Sequence, residues 1–505
     1  MRPTGGGHQG FGVLFNSNEF FYIFLPLALA GFFLCARWSR RAGAVWMGCV
    51  SIAFYGYWEP RSVALLLASI AANFYLGVRL AQGASDLCRR RWLTCGISLN
   101  LGVLGLFKYL DFFIYSLNAS CHTALPYSGI TLPLGISFFT FTQIAFLIDV
   151  RRGLVADYRA SHYLLFVSFF PHLIAGPILH HRQMMPQFAA AATYRPRLEN
   201  CARGLVLFAA GLGKKVLLAD TFAGYADPVF AGAASGAAIG WVAAWVGILA
   251  YTLQIYCDFA GYSDMAIGLS KLFNIDIPVN FNSPYRASSM IDFWRRWHMT
   301  LSAFLRDYLY IPLGGNRGGV QRRYVNLLLT MLLGGLWHGA SWTFVVWGGL
   351  HGLFLMANHG WRHVTGSRGQ AGGIAGWLGN ALTLVCVIVA WVFFRADTFA
   401  SAWVMLDAMF DRHAPTVVMA HGWPAFDQVF GALPLVPSDW SRVGGSLLAG
   451  WALVLLAPNT QAVVARLPRT ATASAVTVGA ALFACCLLIA INAARGASTF
   501  IYFNF

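Results

Sequence analysis

The chain has 505 residues, of which 58% are hydrophobic and only 11% charged, against about 25% charged in a soluble domain. That composition excludes a water-soluble globule, because too few polar side chains exist to cover one, and it leaves a bilayer as the solvent. The formal charge of +16 does not indicate nucleic acid, since no basic run is interleaved with stacking aromatics and the arginines cluster beside apolar spans.

Residues 1–13 are Gly-rich and lack the cationic start and cleavage site of a signal peptide. They read as an N-terminal extension, with Val13 as a candidate true start, ahead of a single membrane domain over 14–505. Apolar stretches at 20–36, 42–58, 62–78 and 93–107 each approach the roughly 20 residues that a crossing needs. Arg37, Arg40 and Arg41 follow the first, Glu59 and Arg61 the second, and Arg79 with Arg89, Arg90 and Arg91 the third. The positive-inside rule therefore puts the N-terminus outside. Residues 111–127 read as an external loop, and 132–148 return to Arg151 and Arg152. The stretch 163–179 holds Pro171, His172, Gly176 and Pro177 and reads as re-entrant rather than crossing. Later spans are expected at 204–219 (interrupted by Lys214 and Lys215), 239–257, 326–361, 377–394, 443–463 and 474–494, with an extramembrane loop over 413–441. The expected fold is all-α and polytopic, with roughly eleven transmembrane helices plus re-entrant and interfacial ones. The ten cysteines form no CxxC pair, and Cys257, Cys386, Cys485 and Cys486 sit in apolar runs, which predicts neither a disulfide framework nor a metal site.

Polar and ionisable residues crowd into 258–352, and ionisable groups at membrane depth are functional candidates. Trp294 and His298 stand four apart, as do Asp292 and Arg296, which predicts an interfacial amphipathic helix with rings on one face and an ion pair on another. His338 lies in GGLWHGASWTF (334–344). It either makes an interhelical hydrogen bond or serves chemistry, and the glycines beside it admit a substrate or another backbone. Acyl transfer to a hydroxyl asks for a base beside the acceptor oxygen, a task that suits imidazole, and for dipoles near the developing oxyanion. His338 is the catalytic candidate on this reading, and His298 needs a separate reason. Trp337, Trp297, Asp258, Asn280, Arg286 and Arg306 are the candidate substrate contacts, and either arginine holds a donor phosphate or pairs with lipid headgroups. Of the other histidines, His172 and His351 are candidate cavity walls, His180 and His181 read as solvated at an interface, and His8, His413 and His421 fall in expected solvent loops. A reading from another class is a proton-coupled transporter or flippase. There His298 and His338 would relay protons while Asp258 and Asp264 bound substrate or ions, although no internal repeat is visible.

The segments LFNSNEFFYIFLPL (14–27), PLGISFFTFTQIAFLIDV (133–150), FFPHLIAGPI (169–178), GLGKKVLLAD (211–220), YCDFAGYSDMAIGLSKLFNI (256–275), FNSPYRASSMIDFWRRWHMTLSAFLRDYLYIPLGGNR (281–317), LGGLWHGASWTFVVWGGLHG (333–352), WVFFRAD (391–397) and FIYFNF (500–505) follow one another in an order that resembles the membrane-bound O-acyltransferase superfamily, in particular its bacterial alginate O-acetylase branch. The resemblance spans nearly the whole chain. It implies tilted helices around a central tunnel, with His338 near its middle as base or transient acyl acceptor and His298 as its partner. It also implies acetyl-CoA as the cytoplasmic donor, no tightly bound cofactor, and a bacterial inner membrane with the N-terminus periplasmic. A periplasmic acetyltransferase of the serine-hydrolase kind would then finish transfer onto an exported polysaccharide such as alginate or cellulose. No GxSxG nucleophile elbow stands in this sequence, which suits such a relay. The N-terminal extension and the 413–441 loop depart from the pattern.

Overall fold

The computed structural model describes residues 14–366, 373–411, 440–468, 470–496 and 500–501. The 1–13 extension, His8, His413, His421 and most of the 413–441 loop lie outside the described residues. Among the described residues the regular structure is helical, with no strand.

The chain opens with α1 (Phe20–Trp38), α2 (Arg40–Trp58), α3 (Pro60–Gln82) and α4 (Asp86–Cys121). Ser39 and Ser85 start α2 and α4 as N-caps, their hydroxyls accepting from the Ala42 and Cys88 amides, so the arginine clusters fall at the helix junctions. α4 runs further than the sequence suggested. Residues 111–121, expected in an external loop, continue it through a wide turn at Gly105–Tyr109. No Pro or Gly interrupts 108–121, and the helix stops where His122 turns left-handed at φ 52°.

Next come α5 (Ile136–Arg151), α6 (Ala160–Ser168), α7 (Phe170–Leu173), α8 (His181–Ala189), α9 (Leu198–Gly213), α10 (Asp220–Ala234) and α11 (Trp241–Leu272). In the stretch expected to be re-entrant, α6 and α7 have nine and four residues, too short to cross. With 32 residues α11 is about 48 Å long. It is the axis of the bundle: 72% of its most apolar stretch is buried, against 22–39% for the other five long apolar helices. Gly204 and Gly211 of α9 meet Gly268 and Gly261 of α11, where an added Cβ would run into the opposite backbone, so the two helices touch main chain to main chain. The lysines that interrupt the apolar run after α9 are neutralised across this contact. Lys214 pairs with Asp264 at 2.6 Å, and Lys215 with Asp258 at 3.0 Å and Asp220 at 2.7 Å.

The second half comprises α12 (Met290–Trp294), α13 (Met299–Leu305), α14 (Gly319–His338), α15 (Trp342–Thr365), α16 (Gly373–Arg395), α17 (Phe399–Phe410), α18 (Trp440–Leu456), α19 (Thr460–Ala465) and α20 (Ala471–Arg495). The span expected over 443–463 stops at Leu456. Pro458 follows, and Asn459 begins α19 as an N-cap accepting from the Ala462 amide, because proline cannot continue a helix. The interfacial helix expected from the spacing of Asp292, Trp294, Arg296 and His298 is broken as well: α12 ends at Trp294, and His298 sits in the left-handed region at φ 42° before α13 begins. Asp292 and Arg296 do pair, at 3.0 Å, but Trp294 and His298 share no helix face.

Among the described residues six helices, α1, α3, α4, α11, α16 and α20, are long and apolar enough to cross a membrane. The expected count of roughly eleven is not confirmed by length and composition: α2, α14 and α15 are long enough but less apolar, and the remaining helices are shorter or more polar. Around the outside, Leu27, Leu34, Trp377, Leu382 and Phe483 are each more than half exposed, the apolar surface that lipid covers.

Candidate functional site

α14 ends on His338, and the end is held from below. The Lys108 ammonium, buried at the wide turn of α4, donates to the Trp337 carbonyl, to the His338 carbonyl at 3.5 Å and to the Ser137 hydroxyl at 3.1 Å. Tyr109 donates to the Leu336 carbonyl at 3.0 Å. These are orphan C-terminal carbonyls of a helix, so one lysine and one tyrosine cap the turn that carries the histidine. From the side α15 presses in at backbone distance: a Cβ on Gly335 would strike the Phe344 carbonyl, and one on Gly348 the Met331 carbonyl. Another backbone, rather than a substrate, occupies the space beside these two glycines.

His298 is reached through its left-handed backbone, a conformation in which a non-glycine residue is strained. The turn ends one short helix and starts the next, and it drives the imidazole into the core, where it is fully buried. Asn280 fixes the ring. Its Oδ1 accepts from the Thr300 amide at 3.3 Å, the Thr300 hydroxyl at 2.9 Å and His298 Nδ1 at 3.0 Å. Because the Thr300 amide can only donate, the atom facing it is oxygen, and His298 Nδ1 must carry the hydrogen. The lone pair of a neutral His298 is therefore on Nε2, which has no protein hydrogen-bond partner.

The two imidazoles stand with ring centroids 6.3 Å apart, tilted by 58°. Trp337 lies against both, at 6.3 Å from His298 and 5.0 Å from His338. Trp347 and Phe394 close the far side of His338 at 5.1 and 5.4 Å, and Phe259 of α11 packs edge-on to His298 at 4.7 Å. Within this apolar casing the indole nitrogens of Trp337 and Trp347, the Asn280 amide nitrogen and His298 Nε2 are all buried without a protein partner. Such orphaned polar atoms are rare in folded interiors, and a catalytic role is one of the physical reasons for them. An aromatic cage around two imidazoles, one with a fixed tautomer, can take a proton from a hydroxyl in a water-poor setting.

The remaining sequence candidates are distributed as follows. Asp258 points away from His298 towards α9: it is paired with Lys215 and accepts from the Ile501 amide at 2.7 Å. Trp297 is core, packed between Phe293 at 5.7 Å and Trp391 at 5.0 Å. Arg286 donates to the Ala457 carbonyl and, with Asp292, Arg296, Trp377 and Asn380, lines a cavity of about 500 Å³. Arg306 is largely exposed and pairs with Asp307 at 2.7 Å. His351 is fully buried between Trp294 and Trp347, at 5.2 and 4.8 Å, behind the Trp347 ring that faces His338. His172 is buried with Nε2 2.9 Å from the Phe166 carbonyl. His180 and His181, expected to be solvated, are buried instead. His180 bonds the Tyr308 hydroxyl at 3.1 Å, and His181 packs on Phe146 at 5.2 Å, because only their neighbour Arg182 reaches the surface. Sequence reading missed Lys108, whose signal was a single lysine inside the apolar run 93–107 and its continuation; the nearest acid, Asp111, accepts from the Ser128 amide instead.

Residues 100–397 match the family model of the membrane-bound O-acyltransferases, a stretch that includes both histidines, Lys108 and Asn280. Over 427 residues the chain is 41% identical to peptidoglycan O-acetyltransferase of Helicobacter pylori, covering 79% of this chain and 80% of that protein. It is 41% identical over 410 residues to probable alginate O-acetylase AlgI of Pseudomonas aeruginosa, covering 79% and 75%. With teichoic acid D-alanyltransferase of Streptococcus thermophilus it shares 30% identity over 236 residues, 45% of this chain and 57% of that one. The helical membrane architecture, the paired imidazoles and these relatives converge: the chain belongs to the membrane-bound O-acyltransferase family and is a multi-pass membrane enzyme of acyl transfer.

Proposed function

We propose that the chain takes an acetyl group from a cytoplasmic thioester, acetyl-CoA, and passes it across a bacterial inner membrane for O-acetylation of an exported polysaccharide such as alginate or cellulose. The observation that carries this reading is the meeting of His298 and His338, 40 positions apart in sequence, at a ring separation of 6.3 Å inside an aromatic cage. Relatives named for acetyl transfer to alginate and to peptidoglycan stand at the same identity, so similarity supports the acetyl group more than any one polymer. Arginines at the end of α1 and the start of α2, and again at the start of α4, support a periplasmic N-terminus. A periplasmic serine-hydrolase-like acetyltransferase completes the pathway as the partner that loads the polymer.

In the proposed step an acceptor hydroxyl gives its proton to His338 as its oxygen attacks the thioester carbonyl carbon. His298, with Nδ1–H held by Asn280 and a lone pair on Nε2, stabilises the imidazolium that forms on His338. Collapse of the tetrahedral intermediate breaks the carbon–sulfur bond, and the imidazolium returns the proton to the departing thiolate. General-base assistance of this kind contributes about 10² to 10⁴ in rate. Trp337 forms the wall of the acyl site, and Arg286 and Arg306 act at the donor approach. The carrier alternative loses its ion ligands, since Asp258 and Asp264 are each paired with a lysine.

The test is thioester cleavage by purified protein given isotopically labelled acetyl-CoA and a soluble acceptor. Wild type should consume the thioester and His338→Ala should not, while remaining inserted and folded. Undiminished cleavage by His338→Ala would remove the assignment.

A further inference from the structure

Where the start of α14 meets the end of α15, Val320, Arg323, Tyr324, His359, Arg362 and His363 line a concave pocket of about 330 Å³. Four of these side chains are basic, and Arg295 of the turn after α12 bears electrostatically on His359 together with Arg323 and Arg362. Among the described residues, no carboxylate forms an ion pair with Arg295, Arg323 or Arg362. Arg362 donates to the Ser289 hydroxyl at 3.3 Å, and Arg323 lies over the Tyr324 ring at 5.0 Å, both neutral groups. Arg323 Nε is buried with no hydrogen-bond partner. The first turn of α14, a 20-residue helix, opens into the same pocket at Val320 and adds the positive end of its dipole.

Uncompensated cations gathered in a concavity repel one another and favour a multiply charged anion, and forked guanidinium groups match phosphate. The helix that forms the floor of this pocket carries His338 at its other end. Arg323 and His338 are 15 residues apart on α14, which is about 22 Å along the axis. A CoA thioester has its phosphates and its reacting carbonyl at opposite ends of an extended pantetheine arm of that order of reach.

We propose that this pocket binds the phosphate groups of the thioester donor. The inference rests on the CoA-thioester reading above. The test uses full-length protein in lipid nanodiscs with two donors: acetyl-CoA, and S-acetyl-N-acetylcysteamine, which has the same thioester and no phosphate. Charge-assisted hydrogen bonds to a phosphate are each worth about tenfold in affinity. Arg323→Gln combined with Arg362→Gln should therefore raise KM for acetyl-CoA by roughly a hundredfold, leave its kcat within about twofold, and leave kcat/KM for the phosphate-free donor unchanged. Each single variant should give an intermediate KM, which covers the case of an unstable double variant, and Arg317→Gln at an exposed position should change neither donor. Equal losses with both donors would overturn the proposal in favour of a structural role. No change with either donor would overturn it too; if that variant also loses stabilisation by phosphatidylglycerol over phosphatidylcholine, the pocket serves a lipid headgroup. A wild type that cleaves neither donor would refute the donor reading itself, and the proposal with it.

Discussion

Asn280 is the residue through which the site can be tested without touching either imidazole. Its Oδ1 accepts three hydrogen bonds, from His298 Nδ1 and from the amide and hydroxyl of Thr300. Asn280→Ala orphans two buried donors that cannot turn elsewhere, the imidazole N–H and the Thr300 amide. The Thr300 hydroxyl already accepts from the Ile178 amide at 3.0 Å and keeps that bond. At about 1–3 kcal/mol per orphaned buried group, the variant should lose roughly 2–6 kcal/mol of stability. The larger consequence is chemical. Without Oδ1, nothing holds the hydrogen on Nδ1, and His298 can present an N–H where a lone pair is needed, a fault of the same kind as a wrong histidine tautomer in a serine-protease triad. A kcat loss of about 10² or more is expected, with KM for the donor little changed. Asn280→Asp keeps the acceptor and replaces an amide nitrogen that has no partner, so it should stay within about tenfold of wild type. Initial rates across donor concentration, with a thermal melt of each variant, check both halves. A folded Asn280→Ala protein with wild-type kcat would refute the reasoning.

Three further outcomes follow from the same geometry. Lys108→Met leaves the Trp337 and His338 carbonyls without their buried donor and should lower kcat by about tenfold or more in protein that still inserts, at about 1–3 kcal/mol for each carbonyl left bare; unaltered turnover would show that the cap does not position His338. Asp258→Ala strands the buried Lys215 with Asp220 as its remaining carboxylate, and breaking a buried pair from one side costs about 3–5 kcal/mol. Its melting temperature should fall sharply and recover in the Asp258→Leu, Lys215→Met double variant. Gly335→Leu drives a side chain into the α15 backbone and should abolish monodisperse protein on size exclusion, whereas a wild-type elution profile would contradict the close crossing of α14 and α15.

The two histidines of the candidate site were legible in the sequence because each is an ionisable group in a stretch that otherwise reads as membrane, and the apolar runs located the cores of the long helices, although α4 and α11 run about 14 and 15 residues beyond the expected ends. What escaped was the turn that makes His298 useful. Spacing of four between Trp294 and His298 suits a helix, and nothing local announces the left-handed φ of 42°, which tertiary contacts through Asn280 impose. Asn280 itself looked like a substrate contact, since sequence alone cannot show that its acceptor is filled by three protein donors. Asp258 and Asp264 drew attention as buried acids, and their partners Lys214 and Lys215 were visible only as interruptions of an apolar run some 50 residues away. His180 and His181 were misjudged because the exposure of Arg182 was extended to its neighbours, although adjacent side chains at a helix start point in different directions.

The central claim, that the two imidazoles work as one unit, is tested most directly by a double-mutant cycle on acetyl transfer. His338→Ala and His298→Ala should each lower kcat by about 10² to 10⁴, and the double variant should be hardly slower than the worse single one, as expected for groups that act together. Losses that multiply in the double variant would show two independent contributions and contradict the account.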